Sequence, residues 1–286
     1  MLGIVGGTGL YDLPGLTDQS WRTIESPFGA PSDQLLFGRL GDQPIVFLPR
    51  HGRGHRIPPH EINFRANVDA LKRAGATSLI SVSAVGSLRA ELPPGMFVLV
   101  DQFIDRTLRG PKTFFGTGLV AHVSMAHPTC RRLIDELAAS ASDLGLPRQK
   151  GGTYLVMEGP QFSSLAESRM HIGMACDVIG MTNMPEAKLA REAELCYATV
   201  AMVTDFDCWH PDHDHVQVSD VIKVMHANSE NAKRLLADVI PRLGAQTGPC
   251  AHGCDRALEQ AILTAREARD PELVQRLAAV AGRVLR

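Results

Sequence analysis

Short apolar runs alternate with stretches of helical period along most of this chain. Residues 2–5, 45–48, 78–84, 97–100, 154–157 and 198–204 are apolar runs bounded by Gly, Pro or polar residues, which predicts strands. Between them, 63–74, 131–144, 165–174 and 185–194 carry the spacing of amphipathic helices. Ser219 is placed to cap a further helix running toward Ile240. Strands that alternate with helices imply one mostly parallel or mixed sheet covered on both faces. Ligands of such sheets sit beyond the carboxyl ends of the strands, so function is sought where strands stop. After about residue 244 the pattern changes to a loop, GAQTGPCAHGCD, and two helical stretches are expected at 256–268 and 271–285. The last is amphipathic and reads as a docking or oligomer helix.

Composition narrows the classes. The 286 residues suit one large α/β domain or two small ones, and 44% hydrophobic residues supply a sizeable core. A net charge of -2 gives no basic field for nucleic acid. Six scattered cysteines fit a reducing cytoplasm, with Cys250 and Cys254 either a local disulfide or free thiols. No apolar stretch is long enough to span a membrane, and the N-terminus lacks the basic region of a signal peptide.

Six strand ends carry candidate chemistry. GIVGGTGL opens the chain, but the next position of a dinucleotide fingerprint is Asp12 and a Walker lysine is absent. The turn reads as an anion nest with the Thr8 hydroxyl, or as a plain tight turn. LPRHGRGHRIPPHEIN delivers Arg50, His51, Arg53, His55, Arg56 and His60 after a buried strand. Arginine holds phosphate bidentately, and neither these histidines nor the later HPDHDH completes a ligand set, so no metal is assigned. A third strand ends at Ser83 and Ala84, before a glycine turn. In EGPQFSSLAES, Phe162 offers a stacking face, and Ser164 with Glu167 fits a capping box. Thr182 precedes a helix that can open at Pro185. TDFDCW ends a buried strand in Asp205 and Asp207, an i, i+2 pair that shares one side if the strand persists.

Taken together and in order, GGTGL, the RHG-x-x-H loop, GSLR followed by DQFIDRT, EGP-x-FSS-x-AES, MT-x-x-PEA-x-LA and TDFDCW resemble the purine nucleoside phosphorylase family, in its methylthioadenosine phosphorylase branch. The resemblance spans roughly residues 2 to 243. It implies an α/β domain over 1–243 with a mixed, twisted central sheet flanked by helices, and a helical extension, 244–286, packed on it. It implies cleavage of 5'-methylthioadenosine by orthophosphate in purine and methionine salvage, with no cofactor. It also implies a cytoplasmic homotrimer or dimer of trimers. By matching positions, phosphate would meet Thr8, Arg50, His51, Ser83, Ala84 and Thr182. Phe162 and Met181 would flank base and ribose, and Asp205 would protonate purine N7 while Asp207 accepts from the 6-amino group. His55, Val218, Val221 and Ile222 would surround the methylthio group, and His122 would reach a neighbouring subunit's substrate. The segment PPHEIN also resembles the branch that prefers methylthioinosine, so a 6-oxopurine nucleoside is the alternative substrate. Two other classes are weighed. A nicotinamide oxidoreductase is disfavoured by the broken glycine pattern, and a non-catalytic nucleoside binder would bind without turnover.

Overall fold

The computed structural model describes residues 1–7, 9–211, 218–245 and 248–285, the side chains of 218–221 excepted. Among these, the strands are β1 (Leu2–Gly6), β2 (Leu16–Arg22), β3 (Leu35–Leu40), β4 (Gln43–Pro49), β5 (Ser78–Ser87), β6 (Phe97–Val100), β7 (Gln102–Asp105), β8 (Arg148–Lys150), β9 (Thr153–Val156), β10 (Val178–Gly180) and β11 (Cys196–Asp205). The helices are α1 (Phe64–Arg73), α2 (Arg131–Asp143), α3 (Leu165–Gly173), α4 (Asn183–Glu192), α5 (Val218–Gly244), α6 (Pro271–Arg276) and α7 (Ala278–Leu285).

All strands join one mixed sheet with the order β2-β3-β4-β1-β5-β10-β9-β7, and β11, β6 and β8 continue from the other side of β5. Helices cover both faces. One core layer holds Phe64 and Leu71 of α1 with Ala187 and Leu189 of α4 and Val280 of α7. The opposite layer holds Leu133 and Leu137 of α2 with Leu236, Val239 and Ile240 of α5. Residues beyond α5 join both layers, through Leu258 and Leu277 on one face and Cys250 and Cys254 on the other.

β5 organises the site. It pairs in parallel with β11 along most of its length. On its other side it pairs with β1 as far as Ser81, and with antiparallel β10 only at Gly86 and Ser87. Residues 82–85 therefore have no strand partner on that side, and the gap between β1 and β10 becomes a slot in the sheet.

Two expectations change. The stretch 256–268 is not an α-helix. It has 3-10 turns at Cys254–Arg256 and Arg266–Ala268, and Ile262 bridges to Ala121 between them. The backbone of 261–263 bonds instead to Val120 and His122, so tertiary pairing overrides the helical pattern. α5 begins at Val218, so Ser219 lies within its first turn and not at its cap.

Candidate active site

β1, β4, β5 and β11 run parallel, so their carboxyl ends meet at one edge of the sheet. The end of β4 is locked to that of β1 by the Arg50 N–H, which donates to the Gly6 carbonyl at 2.9 Å. β10 runs the other way, and the chain after it carries Thr182 back along β5. Thr182 Oγ1 consequently lies 3.0 Å from Ser83 Oγ. The Tyr154 hydroxyl is 3.2 Å from Ser83 on a second side. Burial raises the Tyr154 pKa, so its hydroxyl stays protonated. Three hydroxyls thus line the slot opened between β1 and β10.

Arg50 forms one wall and is only 1% exposed. Its Nε donates to Glu186 Oε2 at 2.8 Å and its Nη2 to Oε1 at 3.1 Å. Nη2 also donates to Ser81 Oγ, and Nη1 donates to the Val82 carbonyl at 3.0 Å. Burial opposes the guanidinium charge, but Glu186 outweighs it and the Arg50 pKa rises. One Nη1 hydrogen has no partner among the described residues, so Arg50 keeps one donor uncommitted. His51 lies beside it with its pKa lowered to about 4, chiefly by burial. Its Nδ1 donates to the Ile57 carbonyl at 2.9 Å, which leaves Nε2 as an acceptor in the neutral ring. His55 stacks on His51 with ring centroids 4.2 Å apart.

The other end of the slot is acidic. The ladder between β5 and β11 shifts register between Val203 and Asp205. The strand ends there, and Asp207 takes a left-handed φ of 51°. The simple i, i+2 alternation expected of the pair does not hold. The chain turns back, and the Asp207 N–H donates to Asp205 Oδ1 at 2.8 Å. The Thr204 hydroxyl donates to Asp205 Oδ2 at 2.7 Å. Burial pushes both carboxyl groups above the usual range. For Asp207, Ser168, Ser163 and His171 offset part of that rise. Asp207 Oδ2 and Ser168 Oγ are both buried without a close hydrogen-bond partner among the described residues.

Loops close the remaining sides. Phe162 is 48% exposed, immediately before Ser163 and the capping box in which Ser164 and Glu167 open α3. The Cys208 thiol donates to the Ser163 carbonyl at 3.3 Å and ties this loop to the aspartate turn. Gly159, with a φ of 68°, packs so tightly on Met181 that any side chain there would collide with it. Arg109 binds three loops at once, donating to the carbonyls of Pro59, Met181, Met157 and Glu158 at 2.8–2.9 Å.

The phosphorylase superfamily model matches residues 1–241. The chain belongs to the phosphorylase superfamily. Within that superfamily it is 60% identical to the S-methyl-5'-thioadenosine phosphorylase of Bradyrhizobium diazoefficiens, over 100% of this chain and 98% of that one. The enzyme of the same name from Rhodospirillum rubrum is 57% identical over 100% and 97%. Among solved structures, a methylthioadenosine phosphorylase from an antarctic soil metagenomic library superposes with a TM-score of 0.92 at 44% identity, covering 98% of both chains. The Schistosoma mansoni methylthioadenosine phosphorylase in complex with adenine gives 0.84 at 38% identity, over 90% and 96%.

The fold gathers Arg50, His51, His55, Ser83, Ala84, Met181, Thr182, Asp205 and Asp207 along the slot and its rims. Other expected residues stand apart. His122 lines a separate cavity of about 420 Å³ with Lys112, Lys188 and Glu192. Ile222 is exposed on α5. Thr8, the side chains of Val218 and Val221, and most of HPDHDH lie outside the described residues. Sequence reasoning missed Glu186, Ser81, Tyr154, Ser168 and Arg109. The charged Glu186 in a helix whose flanking residues are apolar was the available signal for the first of these.

Proposed function

We propose that this enzyme cleaves 5'-methylthioadenosine with orthophosphate, giving adenine and 5-methylthioribose 1-phosphate. The observation that carries the reading is the pairing of a hydroxyl-lined slot with two buried carboxyl groups whose pKa values burial raises. Ser83 and Gly86, which mark the two ends, are three residues apart on β5, or about 10 Å. That length accommodates a ribosyl ring between phosphate and base.

Breaking the glycosidic bond leaves positive charge on the ribose and negative charge on the purine. Phosphate held by Ser83, Thr182, Arg50 and Thr8 lies against the first charge and then attacks C1'. Neutral His51 offers Nε2 as acceptor to the P–OH of the monohydrogen phosphate dianion. The Asp205 carboxyl gives its proton to N7 of the leaving purine. Asp207 accepts from the 6-amino group, and Phe162 and Met181 cover base and sugar. His55, Val218, Val221 and Ile222 are the residues assigned to the methylthio group. His122 acts across a subunit boundary in a homotrimer, and the exposed Leu108, Val120 and Leu263 supply apolar surface for such assembly. The working compartment is the cytoplasm, in purine and methionine salvage.

The test is adenine release from methylthioadenosine with and without phosphate, beside methylthioinosine and adenosine. Release that requires phosphate and is fastest from methylthioadenosine supports the reading. Faster cleavage of methylthioinosine would keep the phosphate slot and overturn the role given to Asp207. Asp207→Asn is expected to shift the preference toward methylthioinosine by about 10²-fold, because an amide donates where the carboxylate accepted.

Gly86 provides a second test. A methyl group there would stand 2.9 Å from Asp205 Oδ1 and 3.3 Å from the Asp207 backbone nitrogen. Gly86→Ala is expected to lower kcat/KM by about 10²-fold, as small displacements of catalytic groups do. Thermal unfolding should move little. Unchanged kinetics would show that the aspartate turn tolerates displacement.

A further inference from the structure

At the opposite end of β11 from the aspartates, four cysteines that the sequence scatters come together. Cys130, Cys196, Cys250 and Cys254 place all their Sγ atoms within 4.8 Å of one another. None is more than 4% exposed, and all four are free thiols. Cys130 and Cys250 have their sulfurs 3.8 Å apart. A tetrahedron of sulfurs with metal–sulfur bonds of about 2.3 Å has edges of about 3.8 Å, so the cluster is already close to that size.

The backbone holding these sulfurs is well defined. Cys130 is the N-cap residue of α2, where the helix end favours negative charge. Cys196 is the first residue of β11. Cys250 and Cys254 form a C-x3-C turn, within the two-to-four-residue spacing of structural zinc ligands. Gly253, with a φ of 68°, closes that turn by donating its N–H to the Cys250 carbonyl at 2.9 Å. The Cys250 N–H in turn donates to Asp255 Oδ2 at 3.0 Å. Cationic groups lie near the cluster. Arg132 contacts the Cys196 sulfur, and the charge of Arg191, whose buried Nε has no partner among the described residues, acts on Cys254.

We infer that these four cysteines form a closed structural site for a divalent zinc ion, fastening the 250–254 turn to the start of β11 and of α2. Binding converts four S–H groups to four Zn–S bonds and releases four protons to solvent. The product carries two net negative charges, and Arg132 and Arg191 balance them. All four positions are protein ligands, so no open position remains for substrate chemistry. β11 separates the site from Asp205 by about 30 Å of strand, which makes it a fastener and not a catalytic centre. No metal is expected from the sequence, where only the histidine groups present themselves as ligands and Cys250 and Cys254 read as a local disulfide or free thiols.

The first measurement is metal content of the full chain, purified under reductant and without chelator. About one zinc per chain is expected, released in step with modification of four thiols by a mercurial. Protein refolded with cobalt should show the intense visible bands of a tetrahedral tetrathiolate. Cys254→Ser should lose the zinc, and the cobalt spectrum of the parent protein keeps the test open if that variant fails to fold. Less than about a tenth of a metal ion per chain, with all four thiols titratable, overturns the inference. So does an intact mass short by two hydrogens for each disulfide formed among the four.

Discussion

Replacing Glu186 by Gln is expected to destabilise the fold by about 3–5 kcal/mol, although the side chain keeps its shape. The Arg50–Glu186 pair is almost completely enclosed, with side chains 1% and 3% exposed. Glu186 Oε1 also accepts from the Ser81 and Tyr197 hydroxyls at 2.6 and 2.9 Å. Every contact presents a donor to Glu186, so either orientation of a Gln amide sets its NH2 group against another donor. The guanidinium remains buried with its counter-charge gone. Urea unfolding of the two proteins measures the loss, and a difference under about 1 kcal/mol would show that the pair is not what retains Arg50. Removing both charges together, as Arg50→Met with Glu186→Gln, should cost less than the two single changes sum to.

The largest kinetic effect is expected from Asp205→Asn, a drop in kcat of about 10²–10⁴-fold with folding preserved. The Asn amide fills the same volume, yet it has no acidic proton to give up to a leaving purine. The pH profile makes the distinction sharper. Burial raises the Asp205 carboxyl, so the acid form persists to a higher pH than for an exposed aspartate. Wild-type kcat should fall as pH rises through that raised value, and the residual activity of the Asn variant should lack this limb. A loss smaller than tenfold would move the acid's role to Asp207 or to solvent.

The interior strands were legible because β1, β4, β5, β6, β9 and β11 are nearly continuous apolar runs. β2 and β3 were not. β2 reads LTDQSWR and lies at the sheet edge, mostly solvent-facing, so no apolar period marks it. β8 has three residues, too few to show a period, and of the equally short β10 only its end before Thr182 could be read. In the site, residues of the motifs themselves could be named, since strand ends and turn chemistry are local. Their supports could not. Arg50 and Glu186 are 136 positions apart, and Ser83 and Tyr154 are 71 apart. Only the assembled sheet makes such pairs neighbours. The cysteine cluster follows the same rule, because the C-x3-C turn is local while Cys130 and Cys196 arrive through the topology.

The change of partner along β5 also has a consequence for folding order. The slot needs β1 on one side of that strand, β10 beyond it and β11 opposite. β5 and β11 are more than a hundred residues apart in the chain. Such high contact order sets a large loop-closure cost before any reward from pairing. On the ribosome, Arg50, His51 and Ser83 emerge long before Asp205 and Asp207, and β5 waits with an unpaired edge until β11 leaves the tunnel. The catalytic centre is thus among the last features of the molecule to exist, and a nascent chain offers a holdase its central strand before it offers a substrate any chemistry.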